Sequence, residues 1–379
     1  MKDNRRSCFK TARRIVVKVG SNLLTKDNGL NVDFVHAISR QICIMIDRGL
    51  QVVLVSSGSM AAGLRKLGLA KRPEEIPKRQ AVSAVGQASL IMEYEKAFEA
   101  CGKKVAQVLL TSDGLYQRKR YLNARNTVHT LLSWHIVPII NENDTVSIEE
   151  IKFGDNDTLS AMIALLVNAD ILINLTDIDG LYNKDPRTNI DAELIPVVST
   201  IKKDIERYAS DIPGALGTGG MMTKIRAARK VNTAGIPMII AQGTKPDILI
   251  RLLEGEPHGT YFAPKSHKMT NRKCWIGFTT KPRGVIRIDD GAAKAITQNG
   301  KSLLPAGIVD VIGEFGAGSP VEFTNGGGEV LGTGLVNYSA EDIRKIMGLK
   351  TSEIKRKLGE KPYDEIIHRD NLTVVWECD

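Results

Sequence analysis

The sequence is poor in cysteine. Its 379 residues include five cysteines, no two of which form a C-x-x-C pair: Cys8, Cys43, Cys101, Cys274 and Cys378. This spacing predicts neither a disulfide framework nor a cysteine zinc site, and it favours a reducing compartment. The six histidines form no H-E-x-x-H or similar pattern, so no protein metal site is predicted.

Long apolar runs are missing as well. The first run, 15–19, is short and contains Lys18, and no later stretch is long enough to span a membrane. We therefore expect a cytoplasmic protein with neither a signal peptide nor a membrane partner. The chain is 42% hydrophobic and 25% charged, and its length favours two domains. A net charge of +9 suits acidic ligands such as nucleotides, or nucleic acid.

The common phosphate-binding and nucleophile motifs do not occur. The sequence has no G-x-x-x-x-G-K-[ST], and Gly217-Thr218-Gly219 lacks the third glycine of G-x-G-x-x-G. Ser57 has no histidine near it in sequence, and G-x-S-x-G is absent. By motif, the chain is neither a P-loop enzyme, nor a dinucleotide-binding Rossmann protein, nor a serine hydrolase.

Short apolar runs alternate with helical patterns up to about residue 262. The runs are 15–19, 52–55, 105–110, 136–140, 171–175 and 238–240. Continuous β-branched runs without polar alternation are typical of strands buried on both faces. The predicted fold class is therefore α/β, with an open, mainly parallel sheet sandwiched by helices. Each run ends in polar residues, and ligands of such sheets bind beyond the carboxyl ends of the strands.

The composition changes after residue 262. Residues 263–273 are polar and basic, and short alternating strands follow at 284–288, 307–312, 321–323 and 330–336. Asn325-Gly326-Gly327-Gly328 indicates a hairpin. We predict a first domain at 1–262, a linker at 263–274, a small β-rich barrel at 275–352 and a tail at 353–379, to which the sequence assigns no role.

Two segments set a lysine beside flexible backbone. They are Lys18-Val19-Gly20-Ser21-Asn22 and residues 218–224, which end in Lys224. Glycine lets backbone N–H groups approach an anion, and lysine adds a point charge. The pair suits phosphoryl transfer without a Walker loop, in which the protein positions oxygens and neutralises charge. Asp155 and Asp157, before an apolar helix, can cap that helix or hold both lysines.

With these segments, the chain resembles the glutamate 5-kinase family, which has the amino acid kinase fold. The segments that carry the resemblance are 18–25, 55–63, 84–87, 122–127, 140–144, 154–157, 175–182 and 217–224. The region from Trp275 to about Gly348 resembles the PUA domain that often follows in this family. The likeness runs in order through nearly the whole chain, from about 14 to 350.

The resemblance implies ATP-dependent phosphorylation of the γ-carboxylate of L-glutamate with Mg²⁺, as the first step of proline biosynthesis. It also implies feedback inhibition by proline and a homodimer or homotetramer. On matching positions, Lys18 and Lys224 would stabilise the transferred phosphoryl group and Asp157 would organise them. Glutamate would be bound by Ser57, Asp144 and Asn156. The ATP site would be lined by Lys18, Gly20, Thr176, Asp177, Thr218, Gly219, Gly220, Met221, Met222, Thr223 and Lys224. No residue is assigned as a metal ligand.

This sequence departs from the common family pattern at Ser21-Asn22 and at Ser59-Met60, which affects expected substrate affinity rather than the reaction. Two alternatives stay open at this stage. One is a kinase of the same fold that acts on acetylglutamate, aspartate, carbamate or a nucleoside monophosphate. The other is an RNA-binding protein, since the C-terminal part is basic. Acidic residues interleave with its basic ones and aromatic residues are few, which disfavours RNA.

Overall fold

The computed structural model describes residues 4–26, 29–146, 156–210, 220–264, 273, 275–277 and 282–374. The chain forms two compact units, Met1–Lys268 and Met269–Asp379. Two residues predicted for the ATP site, Thr218 and Gly219, lie outside the described residues. So do Asp155 and most of the predicted linker.

An eight-stranded sheet organises the described part of the first unit. Its spatial order is β5 (Lys104–Leu110), β6 (Ile136–Glu142), β4 (Gln51–Ser56), β1 (Arg14–Val19), β7 (Ile171–Thr176), β9 (Met238–Gln242), β10 (Thr260–Phe262) and β8 (Val197–Val198). Neighbours pair in parallel except β9 and β10, which are antiparallel. The six apolar runs of the sequence are all strands of this sheet.

Helices flank the sheet. They are α1 (Arg5–Thr11), α2 (Ser21–Leu24), α3 (Val32–Asp47), α4 (Ser59–Lys66), α5 (Ile76–Glu99), α6 (Ser112–Tyr116), α7 (Arg118–Ser133), α8 (Asn156–Leu166), α9 (Lys203–Ser210), α10 (Met221–Thr233) and α11 (Ile248–Leu253). A 3₁₀ turn, Asp144–Val146, follows β6, and β2 (Thr25–Lys26) pairs with β3 (Gly29–Leu30). None of the described helices is both long enough and apolar enough to cross a membrane.

The side chains of β1 alternate between the two faces of the sheet. Ile15, Val17 and Val19 pack in one core with residues of α3 and α5. Because successive side chains of a strand point to opposite faces, Lys18 lies on the other face, and α8 packs against β1. The central strand of the sheet therefore carries a buried lysine toward α8.

The second unit has its own sheet and core. The strand order is β12 (Ile308–Ile312), β11 (Val285–Ile288), β13 (Pro320–Thr324), β14 (Val330–Leu335) and β15 (Leu372–Val374), and only β11 and β13 pair in parallel. The predicted hairpin at 325–328 joins β13 to β14. The described helices of the second unit are Asp290–Thr297, Ala340–Ile346 and Ile354–Leu358, with 3₁₀ turns Pro305–Gly307, Thr351–Glu353 and Arg369–Asn371. The predicted fold class, an α/β sheet domain followed by a small β-rich domain, is confirmed.

Residues after 352, which the sequence left without a role, contribute to this second core. Ile354, Ile366, Ile367 and Leu372 are buried in it. β15 pairs antiparallel with β14 along Gly332–Gly334. The last described strand of the chain is thus an edge of the second sheet.

Candidate active site

Asp157 is the centre of a buried cluster that contains both predicted lysines. Lys18 Nζ lies 2.6 Å from Asp157 Oδ1, and Lys224 Nζ lies 3.2 Å from Oδ2. Asp157 is 1% exposed, and each lysine is 5% exposed. Two cations thus share one buried carboxylate.

Two neutral donors complete the contacts of the Asp157 carboxylate. Asn174 Nδ2 donates to Oδ1 at 2.7 Å, and Thr223 Oγ1 donates to Oδ2 at 2.6 Å. Lys18 and Asn174 are direct partners in the pairing of β1 with β7, so their side chains leave the sheet side by side. Each carboxylate oxygen therefore contacts one lysine and one neutral donor.

These contacts keep Asp157 ionised. Burial alone would raise its pKa, but the charges of Lys18 and Lys224, with hydrogen bonds from Lys18 and Thr223, hold the pKa far below the usual range. The carboxylate is therefore negative near neutral pH, and it holds both ammonium groups in fixed positions.

Asn156, the neighbour of Asp157 on the first turn of α8, reaches toward the ends of β4 and β6. Its Nδ2 lies 2.8 Å from Ser57 Oγ, 3.0 Å from Asn141 Oδ1 and 3.3 Å from the Ser56 carbonyl oxygen. Among the described residues, Asn156 Oδ1 and Asn141 Nδ2 are buried and have no hydrogen-bond partner. One acceptor and one donor are thus left for a polar ligand, since unpaired buried groups of this kind are costly.

Asp144 lies on the 3₁₀ turn after β6 and contacts two helices. Its Oδ2 accepts hydrogen bonds from Ser59 Oγ at 3.3 Å, on α4, and from Ser83 Oγ, on α5. Burial raises the pKa of Asp144, while these hydroxyls and the charge of Arg72 oppose the rise. Asp144 is 8% exposed, so a cation that contacts its carboxylate would be largely shielded from water.

The predicted nucleotide residues gather beside Lys224. Asn22 Nδ2 donates to Asp177 Oδ2 at 2.8 Å, and Thr176 Oγ1 donates to Asp177 Oδ1 at 2.9 Å. Burial would raise the pKa of Asp177, but these two hydrogen bonds, with the charge of Lys224, lower it. The Gly20 N–H donates to the Leu175 carbonyl at 3.1 Å. The strand-end loops of β1 and β7 are therefore tied together.

The second glycine segment leads into α10. Gly220 caps the helix in an extended conformation, and Met221, Met222, Thr223 and Lys224 form its first turn. Met221 is buried and Met222 is half-buried. The first amides of a helix have no partner within the helix, and its N-terminus favours anions. The structure therefore brings a helix N-terminus to the lysine cluster.

The described residues predicted for the site lie in three groups, centred on Asp157, Asp144 and Asp177. Asn156, which contacts Ser57, is the neighbour of Asp157, and Ser57 is separated by one glycine from Ser59, which contacts Asp144. The charge of Lys224 acts on Asp177 and so connects the third group to the Asp157 cluster. Sequence reasoning did not identify Asn174, Ser59, Ser83 or Asn141 as site residues. Asn174 could have been predicted from the sequence, because it is the one amide side chain in the apolar run 171–175. Ser83 could not, because its contact with Asp144 depends on how α5 packs.

The chain matches two family models. Residues 13–242 match the amino acid kinase family, and residues 284–358 match the PUA domain. The glutamate 5-kinase of Syntrophus aciditrophicus (strain SB) is 50% identical over 375 residues, covering 99% of this chain and 97% of that protein. The glutamate 5-kinase of Meiothermus ruber is 50% identical over 369 residues, covering 97% of each. The crystal structure of UMP kinase from Bacillus anthracis aligns with a TM-score of 0.48 and 17% identity, over 67% of this chain and 97% of that chain.

Proposed function

Because this chain belongs to the glutamate 5-kinases of the amino acid kinase family, it is a kinase, and we propose that its substrates are ATP and L-glutamate. A γ-carboxylate oxygen of glutamate attacks the γ-phosphorus of ATP. The new O–P bond gives γ-glutamyl phosphate, and the bond to the β-phosphate oxygen breaks, so that ADP leaves with the electron pair. The relatives' names, with the geometry below, support this assignment.

The observation that carries the proposal is the Asp157 cluster. Phosphoryl transfer asks the protein to place two oxygens in line and to neutralise charge that spreads over the moving group. Lys18 approaches from β1 and Lys224 from α10, and Asp157 holds both. An ammonium group has three N–H donors, so contact with Asp157 is compatible with donation to phosphoryl oxygens. The two ammonium groups fit an anionic transition state.

Glutamate lies, in this proposal, between Ser57, Asn156 and Asp144. Asp144 receives the α-ammonium group, in a pocket where Ser59 and Ser83 donate to its carboxylate. Ser57 and Asn156 supply hydroxyl and amide contacts next to the lysine cluster, where the γ-carboxylate must lie. The orphaned Asn156 Oδ1 and Asn141 Nδ2 offer an acceptor and a donor to a ligand that carries both kinds of group.

ATP occupies the other side of the cluster. Its phosphates approach Gly20, Lys18 and residues 218–224, and its nucleoside approaches Thr176 and Asp177. Mg²⁺ accompanies the phosphates. Among the described residues no group of three or more acidic, histidine or cysteine side chains could hold a metal ion, so we assign its ligands chiefly to phosphate oxygens and water.

The wider role follows from the family. We propose that the reaction is the first step of proline biosynthesis, that proline inhibits it at a site overlapping that of glutamate, and that the protein works as a homodimer or homotetramer. The domain division proposed is a kinase domain at 1–262, a linker at 263–274, a PUA domain at 275–352 and a tail at 353–379. RNA binding by the PUA domain is not part of the proposal.

A hydroxylamine trap tests the reaction. The protein is incubated with ATP, Mg²⁺ and hydroxylamine, together with L-glutamate, N-acetylglutamate or L-aspartate, and the coloured hydroxamate of any acyl phosphate is measured. We expect hydroxamate with L-glutamate alone. If folded protein forms no hydroxamate with any of these acids, the acyl-phosphate assignment is overturned. Hydroxamate with another acid only would replace the substrate and keep the reaction class.

Two further assays test the wider role. Glutamate saturation curves are measured with and without proline, and superimposable curves would reject the proposed inhibition. Filter binding of RNA at several salt concentrations tests the alternative of an RNA-binding protein. Binding with a steep salt dependence would reopen it, because contacts to phosphates weaken as salt rises.

A further inference from the structure

Two free cysteines lie close together at one edge of the first sheet. Cys43 is on α3, near the end of that helix, and Cys101 is in the turn between α5 and β5. Cys43 belongs to the core of the first unit and is 2% exposed, whereas Cys101 is half-buried and packs against the same core. Because the two residues are far apart in sequence, the packing of α3 against α5 is what brings them together.

An ion pair fixes the two segments in this register. Asp47 follows Cys43 by four residues, so both lie on one face of α3. Lys103, two residues after Cys101, contacts the Asp47 carboxylate through its Nζ. The N–H groups of Cys101 and Lys103 both donate to the Phe98 carbonyl, which holds the turn at the end of α5. The turn that carries Cys101 is therefore tied to the last turns of α3.

The side chains of this group act on one another. Burial raises the pKa of the Cys43 thiol, contact with the Cys101 thiol raises it further, and the charge of Lys103 opposes the rise. The hydrogen bond to Asp47 raises the pKa of Lys103, and the charges of both thiols add to this effect. Cys43 therefore stays protonated near neutral pH, and Cys101 is the thiol that a dissolved reagent can reach.

The pair lies at the edge of the sheet opposite the candidate active site. α3 ends before β4 begins and α5 ends before β5 begins, so both cysteines are at the amino ends of parallel strands. Ser57 and Asp144 follow the carboxyl ends of β4 and β6. The thiols are therefore separate from the groups assigned to the substrates.

A partly exposed thiol beside a buried one is the arrangement that a reversible disulfide needs. Thiols that respond to oxidants are accessible to solvent and often have a second cysteine next to them that resolves the first product. A metal site does not account for the pair, because the described residues include no group of three or more side chains that could hold a metal ion.

We propose that Cys43 and Cys101 form a peroxide-sensitive dithiol, in which Cys101 is oxidised first and Cys43 then closes a disulfide that joins α3 to the end of α5. In a reducing environment such a bond is transient, because thiols reverse it. The inference does not depend on the proposed function, since it concerns other residues and is tested without a kinase assay.

The reaction has two steps. The Cys101 sulfur attacks one oxygen of hydrogen peroxide, the O–O bond breaks, and hydroxide leaves and takes up the thiol proton as water, so that Cys101 becomes a sulfenic acid. The Cys43 sulfur then attacks the Cys101 sulfur, the S–O bond breaks, and the hydroxyl group leaves as water with the proton of the Cys43 thiol. Two thiols are oxidised to one disulfide, and the peroxide is reduced to two water molecules.

Peptide mapping of the full chain tests the disulfide. Reduced protein is treated with hydrogen peroxide, the remaining thiols are blocked with N-ethylmaleimide, and the protein is digested without reductant for mass spectrometry. We expect a linked pair of peptides that contains Cys43 and Cys101, is two hydrogens lighter than the separate peptides, and is lost on treatment with dithiothreitol. Recovery of both cysteines as blocked thiols, or of Cys101 as a sulfinic acid beside a blocked Cys43, would overturn the proposal.

Dimedone, which labels sulfenic acids, tests the order of oxidation. In Cys43→Ala the sulfenic acid of Cys101 has no partner, so Cys101 should be labelled. In Cys101→Ala the buried Cys43 should stay unlabelled. Cys8→Ala is the matched control, because Cys8 is also half-buried but contacts Tyr261 Oη rather than a thiol, and it should form the Cys43–Cys101 bond as wild type does. Equal labelling of Cys43 and Cys101 would show that the assigned order is wrong.

Thermal unfolding measures what the bond does to the protein. A disulfide between distant residues closes a long loop and restricts the unfolded chain. The Tm of the oxidised wild type should therefore rise by about 5 °C and return on reduction, while that of peroxide-treated Cys101→Ala should not change. A lower Tm for the disulfide form would mean that the bond distorts the packing of α3 on α5, and it would overturn the inference that the fold accommodates the bond.

Discussion

Gly86 of α5 packs against the carbonyl oxygen of Ser59 on α4. A Cβ at Gly86 would lie 1.7 Å from that oxygen, and a Cβ at Gly63 would lie 1.9 Å from the Val82 carbonyl oxygen. The two helices therefore cross with their backbones in contact. This crossing brings Ser59 Oγ and Ser83 Oγ to 2.8 Å from each other, above Asp144.

We expect Gly86→Ala to push α4 and α5 apart. The methyl group has no space against backbone, so the free energy of unfolding should fall by about 1–3 kcal/mol. The KM for glutamate should rise, because Ser59 and Ser83 could no longer both donate hydrogen bonds to Asp144. Urea unfolding and saturation kinetics measure both. Gly316→Ala is the control, since a Cβ there meets nothing within 4 Å; equal stability of the two variants would contradict the argument.

Lys18→Ala and Lys224→Ala should each lower kcat by roughly 100-fold or more, the usual cost of removing a preorganised transition-state donor. Steady-state kinetics, with circular dichroism to confirm folding, give the result. Lys103→Ala serves as the control, because Lys103 pairs with Asp47 away from the cluster. A folded variant with near-normal turnover would show that its lysine has no part in the transfer.

The buried charge of Asp144 leads us to expect that a substitution which weakens glutamate binding will not lower the stability of the protein. The folded pKa of Asp144 is raised, so above that pKa the buried negative charge opposes folding. The folded protein takes up the proton first as pH falls, and the contribution of Asp144 to stability rises between its folded and its unfolded pKa. Asp144→Asn removes the charge and this pH dependence.

We therefore expect Asp144→Asn to be at least as stable as wild type at pH 7, with the difference shrinking as the pH falls toward 4. Its KM for glutamate should be much higher, because a neutral amide does not attract the α-ammonium group. Urea titrations at several pH values measure the first effect and saturation curves the second. A variant less stable than wild type at pH 7 would mean that the hydrogen bonds of Asp144 to α4 and α5 stabilise the fold by more than the burial of its charge destabilises it.

Asn22→Leu tests the tie between the two nucleotide loops. Asn22 is exposed and donates to Asp177, and one such hydrogen bond is worth roughly a twofold to tenfold change in binding. The KM for ATP should rise by that factor while the KM for glutamate stays unchanged. Asn22→Ser should behave similarly if its shorter side chain fails to reach Asp177. An unchanged KM for ATP in both variants would remove Asn22 from the nucleotide site.

Sequence patterns were enough to predict the six main strands because each is a mostly apolar run with a polar end. They missed β8 and β10, since strands of two and three residues have no measurable period. Those two strands extend the sheet past β9, and β10 reverses its direction. Tertiary pairing rather than local pattern determines such short edges.

The site divides in the same way. Lys18, Lys224 and Asp157 were predicted from glycine-rich segments and family resemblance. That Lys18 and Asn174 lie side by side depends on the register between β1 and β7, which one sequence does not reveal. The Ser59–Ser83 contact depends on two glycines that look like ordinary helical positions until the helices are seen to cross.

The pairing of β15 with β14 sets a practical limit on where the chain can be cut. The family model of the second domain ends at residue 358, but a protein shortened there would lack residues 372–374. β14 would then present an open row of N–H and C=O groups, and the core of the second unit would lose Ile366, Ile367 and Leu372. Exposed strand edges recruit strands from other molecules. Such a fragment should aggregate, so an expression boundary for this domain belongs beyond Val374.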